Sequence, residues 1–197
     1  MNGHSEMGIQ DNLTIKDQIL KAARDIFSSK GYKATTMKEI ALASNVGVGS
    51  LYLHFTDKRD IYISLIKEQA KRFNEYIRTY KDVEPIQALE GIFDCYLEYS
   101  IKNTKLISVN LTEGVYEAKD IFIKCFHKPQ EELINSIIVR GIDAGLFKEI
   151  DVEKLSKLII SLLTGLVTFY VRGEITDLKV YGNVLLSLLL NGLRRID

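Results

Sequence analysis

The chain has 197 residues, 46% of them hydrophobic, which is enough for a sizeable core and too apolar for extensive disorder. Its 26 basic and 26 acidic side chains cancel, so a broadly basic nucleic-acid coat is excluded while a local phosphate-binding patch is not. Two prolines and no tryptophan fit a mostly helical chain, and the two cysteines, Cys95 and Cys125, lack CxxC spacing and read as free buried thiols. Residues 1–13 are polar, have no apolar core of a signal peptide and read as a flexible tail.

A first helix is expected over 14–30. Ile15, Ile19, Ala23, Ile26 and Phe27 recur at three- and four-residue spacing, Thr14 serves as its cap and Gly31 ends it. Two short helices follow in the stretch TTMKEIALASNVGVGSLYLHFTDK, residues 35–58. Thr36-Met37-Lys38-Glu39 has the form of a capping box, in which Thr36 accepts from the N–H three residues on and Glu39 reaches back. Asn45 tolerates the left-handed conformation of a helix end, and Gly47 caps the next helix over 48–55. There Leu51 and Phe55 face inward, while Gly49, Ser50, Tyr52, Leu53 and His54 face outward. Helices this short need a tertiary framework. A short supported helix with polar and aromatic groups outward is what a helix-turn-helix presents to a DNA major groove.

The run Gly49-Ser50-Leu51-Tyr52-Leu53-His54-Phe55-Thr56-Asp57-Lys58 resembles the G-T-L-Y-x-Y/H-F-x-x-K signature of the TetR family of bacterial transcriptional regulators. The likeness extends upstream through Thr36, Ile40 and Ala41. It returns late in the chain in Gly141-Ile142-Asp143-Ala144-Gly145-Leu146-Phe147. Gly47 and Val48 depart from the usual polar residues, which bears on base specificity and not on fold. The resemblance implies DNA contacts by Thr36, Lys38, Val48, Gly49, Ser50, Tyr52, His54 and Lys58. The Thr36 and Tyr52 hydroxyls, His54 and the Lys58 ammonium would meet phosphates, Ser50 and Lys38 would reach either a base edge or the backbone, and Val48 would either read a thymine methyl or only pack inward.

After Asp57 a long unbroken stripe predicts a helix over 58–81, about 35 Å long, shared between a DNA-reading head (residues 14–57) and a larger helical part (residues 58–197). Pro85 opens a helix over 85–101, a weaker helical signal spans 103–112, and a seventh helix over 118–144 is expected to kink or break at Pro129. The last two, over 151–172 and 176–194, make nine in an all-α fold. Leu158 to Val171 is apolar nearly all round, yet at 14 residues too short to span a bilayer. These two helices carry more apolar surface than one core needs, so Leu158, Leu162, Leu166, Phe169, Tyr181, Leu185, Leu188 and Leu189 are expected at a two-fold subunit interface.

The family resemblance further implies a small-molecule effector in the larger part. Tyr76, Phe93, Tyr96, Tyr99, Phe122, Phe126 and Tyr170 are candidate pocket rings for an apolar or aromatic ligand. Cys125 and His127 are a poor metal pair, and no nucleophile elbow, Walker loop or dinucleotide fingerprint is present. The expectation is therefore a cytoplasmic, non-enzymatic, homodimeric repressor that binds duplex operator DNA, without a cofactor, metal or membrane, and is released by ligand. A DNA-binding activator, a ligand-independent regulator and a helical interaction module are the alternatives.

Overall fold

The computed structural model describes residues 14–113 and 120–194, and the expected tail over 1–13 lies outside the described residues. Helix α1 (Ile15–Lys30) opens on a capping box between Thr14 and Asp17 and closes at Gly31, whose φ of 89° favours glycine. Helices α2 (Met37–Ala43) and α3 (Val48–His54) follow, joined through Asn45 at φ 54°. Val46 N–H returns to Ala41 O at 3.0 Å and closes the turn. Asp57 caps the long α4 (Lys58–Ile77), which continues as one 3₁₀ turn, Arg78–Tyr80.

Pro85 starts α5 (Pro85–Lys102), and α6 (Thr104–Glu113) comes after a break of one residue. The expected seventh helix falls partly outside the described residues, and within them it is interrupted where Pro129 predicts. A π-helical segment, Ile123–His127, leads into α7 (Lys128–Asp143). Pro129 has no N–H to offer the carbonyl four residues back, that of Cys125. Asn74 Nδ2 donates to that carbonyl instead, at 2.7 Å.

Helix α7 ends on a Schellman motif: Leu146 N–H reaches Gly141 O and Gly145 N–H reaches Ile142 O, both at 2.9 Å, with Gly145 at φ 70°. Phe147 then folds back against Gly141, where any Cβ would overlap its ring. Helices α8 (Val152–Val171) and α9 (Leu178–Leu193) complete the all-helical architecture.

Two cores result, and they share α4. The first joins Ile19, Ala23 and Phe27 of α1 with Ile40, Leu51 and Phe55, and takes Ile61, Tyr62, Leu65 and Ile66 from the first half of α4. Leu106 and Val109 of α6 complete it. The second core takes Ala70, Phe73 and Ile77 from the other half of α4 and packs them with α5, α7, α8 and α9. The head's packing therefore runs past residue 57, because α2 and α3 are too short to bury an apolar face without α4 and α6.

Helix α8 is 20 residues long and contains an 18-residue stretch with a mean hydropathy of 1.5, enough by length and composition to cross a membrane. Its apolar surface is divided between two faces. Leu155, Ile159, Leu163 and Val167 enter the core, whereas Leu158, Leu162 and Phe169 are exposed.

Candidate nucleic-acid interface and ligand cavity

The outer face of α3 is held from behind by Leu51 and Phe55, both fully buried. That anchoring leaves Val48, Gly49, Tyr52, Leu53 and His54 exposed and Ser50 half-buried. Tyr52 is 52% exposed and Leu53 86%, and Gly49 has open space where a Cβ would stand. Val48 faces outward, which suits apolar contact with a thymine methyl. Leu53 shares this surface although the family signature leaves its position open. Leu42 on α2, 83% exposed, was not an expected contact at all. Both are large apolar side chains left mostly in solvent, and their exposure is the signal that finds them.

Two candidate contacts, Thr36 and Lys58, carry structural duties as well. Thr36 caps α2: its hydroxyl accepts from Glu39 N–H and donates to Glu39 Oε2 at 2.8 Å, so its proton is already committed. Glu39 in turn pairs with Lys30. The Lys30 ammonium, then the Thr36 hydroxyl and N–H, hold the Glu39 carboxyl down to about 2. Lys38 is exposed and free to reach out.

Lys58 departs most from expectation. Its ammonium turns inward and donates to Thr35 O at 2.6 Å, Tyr32 O at 2.7 Å and Lys33 O at 3.3 Å, and lies 4.5 Å from the centre of the Tyr32 ring. Three carbonyls take its three protons, so Lys58 ties α4 to the turn before α2 and is not a free point charge for a phosphate. Burial pushes its pKa below the ordinary lysine value.

A cavity of about 430 Å³ lies between α4, α5, α6, α8 and the segment before α7. This is within the ~300–1,000 Å³ of typical small-molecule sites. Of the expected rings, Tyr96, Tyr99, Phe122 and Phe126 line it. Tyr76, Phe93 and Tyr170 do not. Tyr76 is 59% exposed on the outer side of α4, Phe93 is 1% exposed within solid core, and Tyr170 packs on the core edge. Helical spacing places a ring on a face but does not say whether the facing element leaves a gap there.

The wall also holds groups that ring-counting misses: Gln69, Asn110, His127, Thr164 and Thr168. Phe126 stacks between Phe73 and Phe122, with centroids 5.0 and 4.9 Å away, and forms one end of the space.

Helix α6 connects cavity and head. Leu106, Ile107, Asn110 and Leu111 line the cavity, while Leu106 and Val109 also belong to the head's core. Tyr62 donates its hydroxyl hydrogen bond to Asn110 Oδ1, and burial keeps that phenol protonated by pushing its pKa up. At the end of α6, Glu113 Oε2 accepts from Lys33 N–H at 2.7 Å, in the turn that Lys58 also grips.

The expected interface residues are partly or fully uncovered. Leu158, Leu162, Phe169, Tyr181 and Leu188 are exposed, with Leu188 at 67%, and Leu166, Leu185 and Leu189 are half-buried at the edge of the core. Val180 and Val184 extend the same uncovered strip.

Comparison with known proteins agrees at both ends of the chain. Residues 19–65 match the model of bacterial regulatory proteins of the tetR family, and residues 108–195 match that of the QacR-like C-terminal region. The HTH-type transcriptional regulator QacR of Staphylococcus aureus is 27% identical, covering 93% of this chain and all of that one. Among solved structures, the fatty acid degradation regulator FadR from Bacillus halodurans superposes with a TM-score of 0.78 at 26% identity, over 92% of this chain and 97% of that one. FadR from Bacillus subtilis, in complex with stearoyl-CoA, gives 0.77 at 26% identity over 89% and 97%. Helix-turn-helix head, all-helical body and sequence likeness over nearly the whole length converge, and the chain belongs to the TetR family of bacterial transcriptional regulators.

Proposed function

We propose that the protein is a cytoplasmic homodimeric repressor that binds a palindromic operator through α3 and leaves it when an apolar small molecule fills the cavity. The observation that carries this reading is the double membership of α6, which walls the cavity and completes the core under α2 and α3. A ligand pushing on Leu106, Ile107 or Leu111 must move Asn110 and Glu113 with them, and so the partners Tyr62 and Lys33 in the head. Such coupling is reciprocal, so operator DNA weakens the ligand by the factor by which the ligand weakens DNA.

The working division is a head over residues 14–57, supported by α4 and α6, and an effector and dimerisation part over 58–197. Two copies joined through the uncovered strip of α8 and α9 would form a four-helix contact. That would place the two α3 helices to read successive major grooves, about 34–36 Å apart. The long acyl chain that the Bacillus subtilis relative accommodates is a reasonable guide to ligand shape.

Phosphate contacts fall to Tyr52, His54 and Lys38, and groove contacts to Val48, Ser50 and Leu53. Thr36 and Lys58 support this surface from within. Selection from a pool of random duplexes, followed by sequencing, tests the reading. A palindrome should be enriched by the protein and much less by Tyr52→Ala. Absence of enrichment at any salt concentration would overturn it.

A further inference from the structure

Most polar groups in the cavity wall are already paired with one another. Tyr96 Oη lies 3.3 Å from Thr164 Oγ1, and Ser100 and Thr168 donate to backbone carbonyls within their own helices at 2.8 Å. Gln69 is different. Its Oε1 accepts from the Tyr99 hydroxyl at 2.9 Å, while its Nε2 is buried without a partner. His127 Nε2, at the end of the π-helical segment, is likewise buried and unpaired. Among the described residues no Asp, Glu, Lys or Arg lines the cavity. Burial lowers the pKa of His127, which keeps the imidazole neutral, and raises that of Tyr99, which keeps the phenol a donor.

We infer that the cavity selects an uncharged apolar molecule bearing a carbonyl oxygen, which accepts a hydrogen bond from Gln69 Nε2, with Tyr99 as the positioning residue that holds the amide oxygen and leaves the nitrogen to donate. The inference rests on the ligand-binding reading above and names the class of ligand. A carboxylate or quaternary ammonium would be buried here without a counter-charge, which is costly. A plain alkane would fill the space but leave the amide N–H unmet. A ketone, ester or amide carbonyl satisfies it. His127 Nε2 is available to a second polar atom on the same molecule.

The test is calorimetric titration of the full-length protein with four probes of equal chain length: a methyl ketone, the alkane, the carboxylate and the alkyltrimethylammonium. The ketone should bind most tightly, roughly threefold to tenfold above the alkane, the usual net worth of one hydrogen bond. Gln69→Leu should reduce the ketone to the alkane's affinity and leave the alkane unchanged. Tyr99→Phe, which frees the amide to turn, should narrow the ketone-to-alkane ratio. Gln69→Glu should reverse the order in favour of the ammonium.

A carboxylate or ammonium preferred by the native protein would overturn the inference. So would a Gln69→Leu effect equal on ketone and alkane, or no binding by any probe. Operator release is measured separately. A ketone that binds as described and leaves the operator complex intact would overturn the ligand-released reading and leave this inference standing.

Discussion

Replacing Lys58 by methionine keeps the apolar stem of the side chain and removes its charge and donors. The structure gives the cost. Two charge-assisted hydrogen bonds, to Thr35 O and Tyr32 O, are lost, and the third, at 3.3 Å, is too long to count for much. Charged hydrogen bonds contribute about 1.5–3 kcal/mol each. The site is only partly buried and its carbonyls can rehydrate, so the lower end applies, and two such bonds come to about 3 kcal/mol. Against a typical total of about 5–15 kcal/mol this is a large loss.

Urea denaturation followed by circular dichroism, at fixed protein concentration, should show the midpoint of Lys58→Met falling accordingly. Operator affinity measured across salt concentrations should weaken with the logarithmic slope unchanged, because no phosphate contact has gone. The opposite pair of results, unaltered stability and a slope smaller by about 0.9, is what loss of one phosphate contact produces. That pair would refute the inward role and restore Lys58 as a DNA ligand.

Three further outcomes are expected. Glu39 has its pKa depressed in the folded protein from the ordinary 4.5 to about 2, so its contribution is fully present above pH 4.5 and is lost as pH falls toward 2. Acid titration of stability should therefore steepen in that window, and Glu39→Gln should flatten it; identical profiles would mean the Glu39 charge contributes nothing through Lys30 or Thr36. Gly49→Ala meets open space and gains helix propensity of about 1 kcal/mol, so the head should become more stable while operator binding weakens through lost groove approach. Undiminished operator affinity would show that Gly49 does not lie close to DNA. Leu188→Asp places a charge in the uncovered strip of α9 and should give a folded monomer by sedimentation, with weakened operator binding. A variant that stays dimeric removes Leu188 from the interface.

What could be read from the residues was what depends on near neighbours. The Thr36–Glu39 box, the left-handed Asn45, the Gly47 cap and the break before Pro129 are each set within about five residues, and each is found where expected. The fate of Lys58 was not legible, because the carbonyls that capture it lie 23 to 26 positions away. The same limit applies to the cavity. Tyr96 and Tyr76 look alike as helix-borne aromatics, yet one lines the cavity and the other faces solvent, since only the packing of α6 and α8 across from α5 decides which ring borders a gap. Helix α6 itself gave a weak local signal. Its apolar residues serve two different cores from different sides, which blurs the single stripe that periodicity detects.

That blurred stripe is the physical price of coupling. A helix committed to one core has one apolar face and moves with that core alone. Helix α6 presents Leu106 and Val109 to the head, Ile107 to the body, and Asn110 and Leu111 to the cavity between them. Neither core can repack around it without the other sensing the shift. Its polar links, Tyr62–Asn110 and Lys33–Glu113, sit one turn apart in its C-terminal half and bind directional groups, which tolerate sliding less well than apolar contacts do. Ligand contacts on one flank of α6 thus have a short mechanical route to the turn that sets α2, and through Val46 and Leu51 to α3.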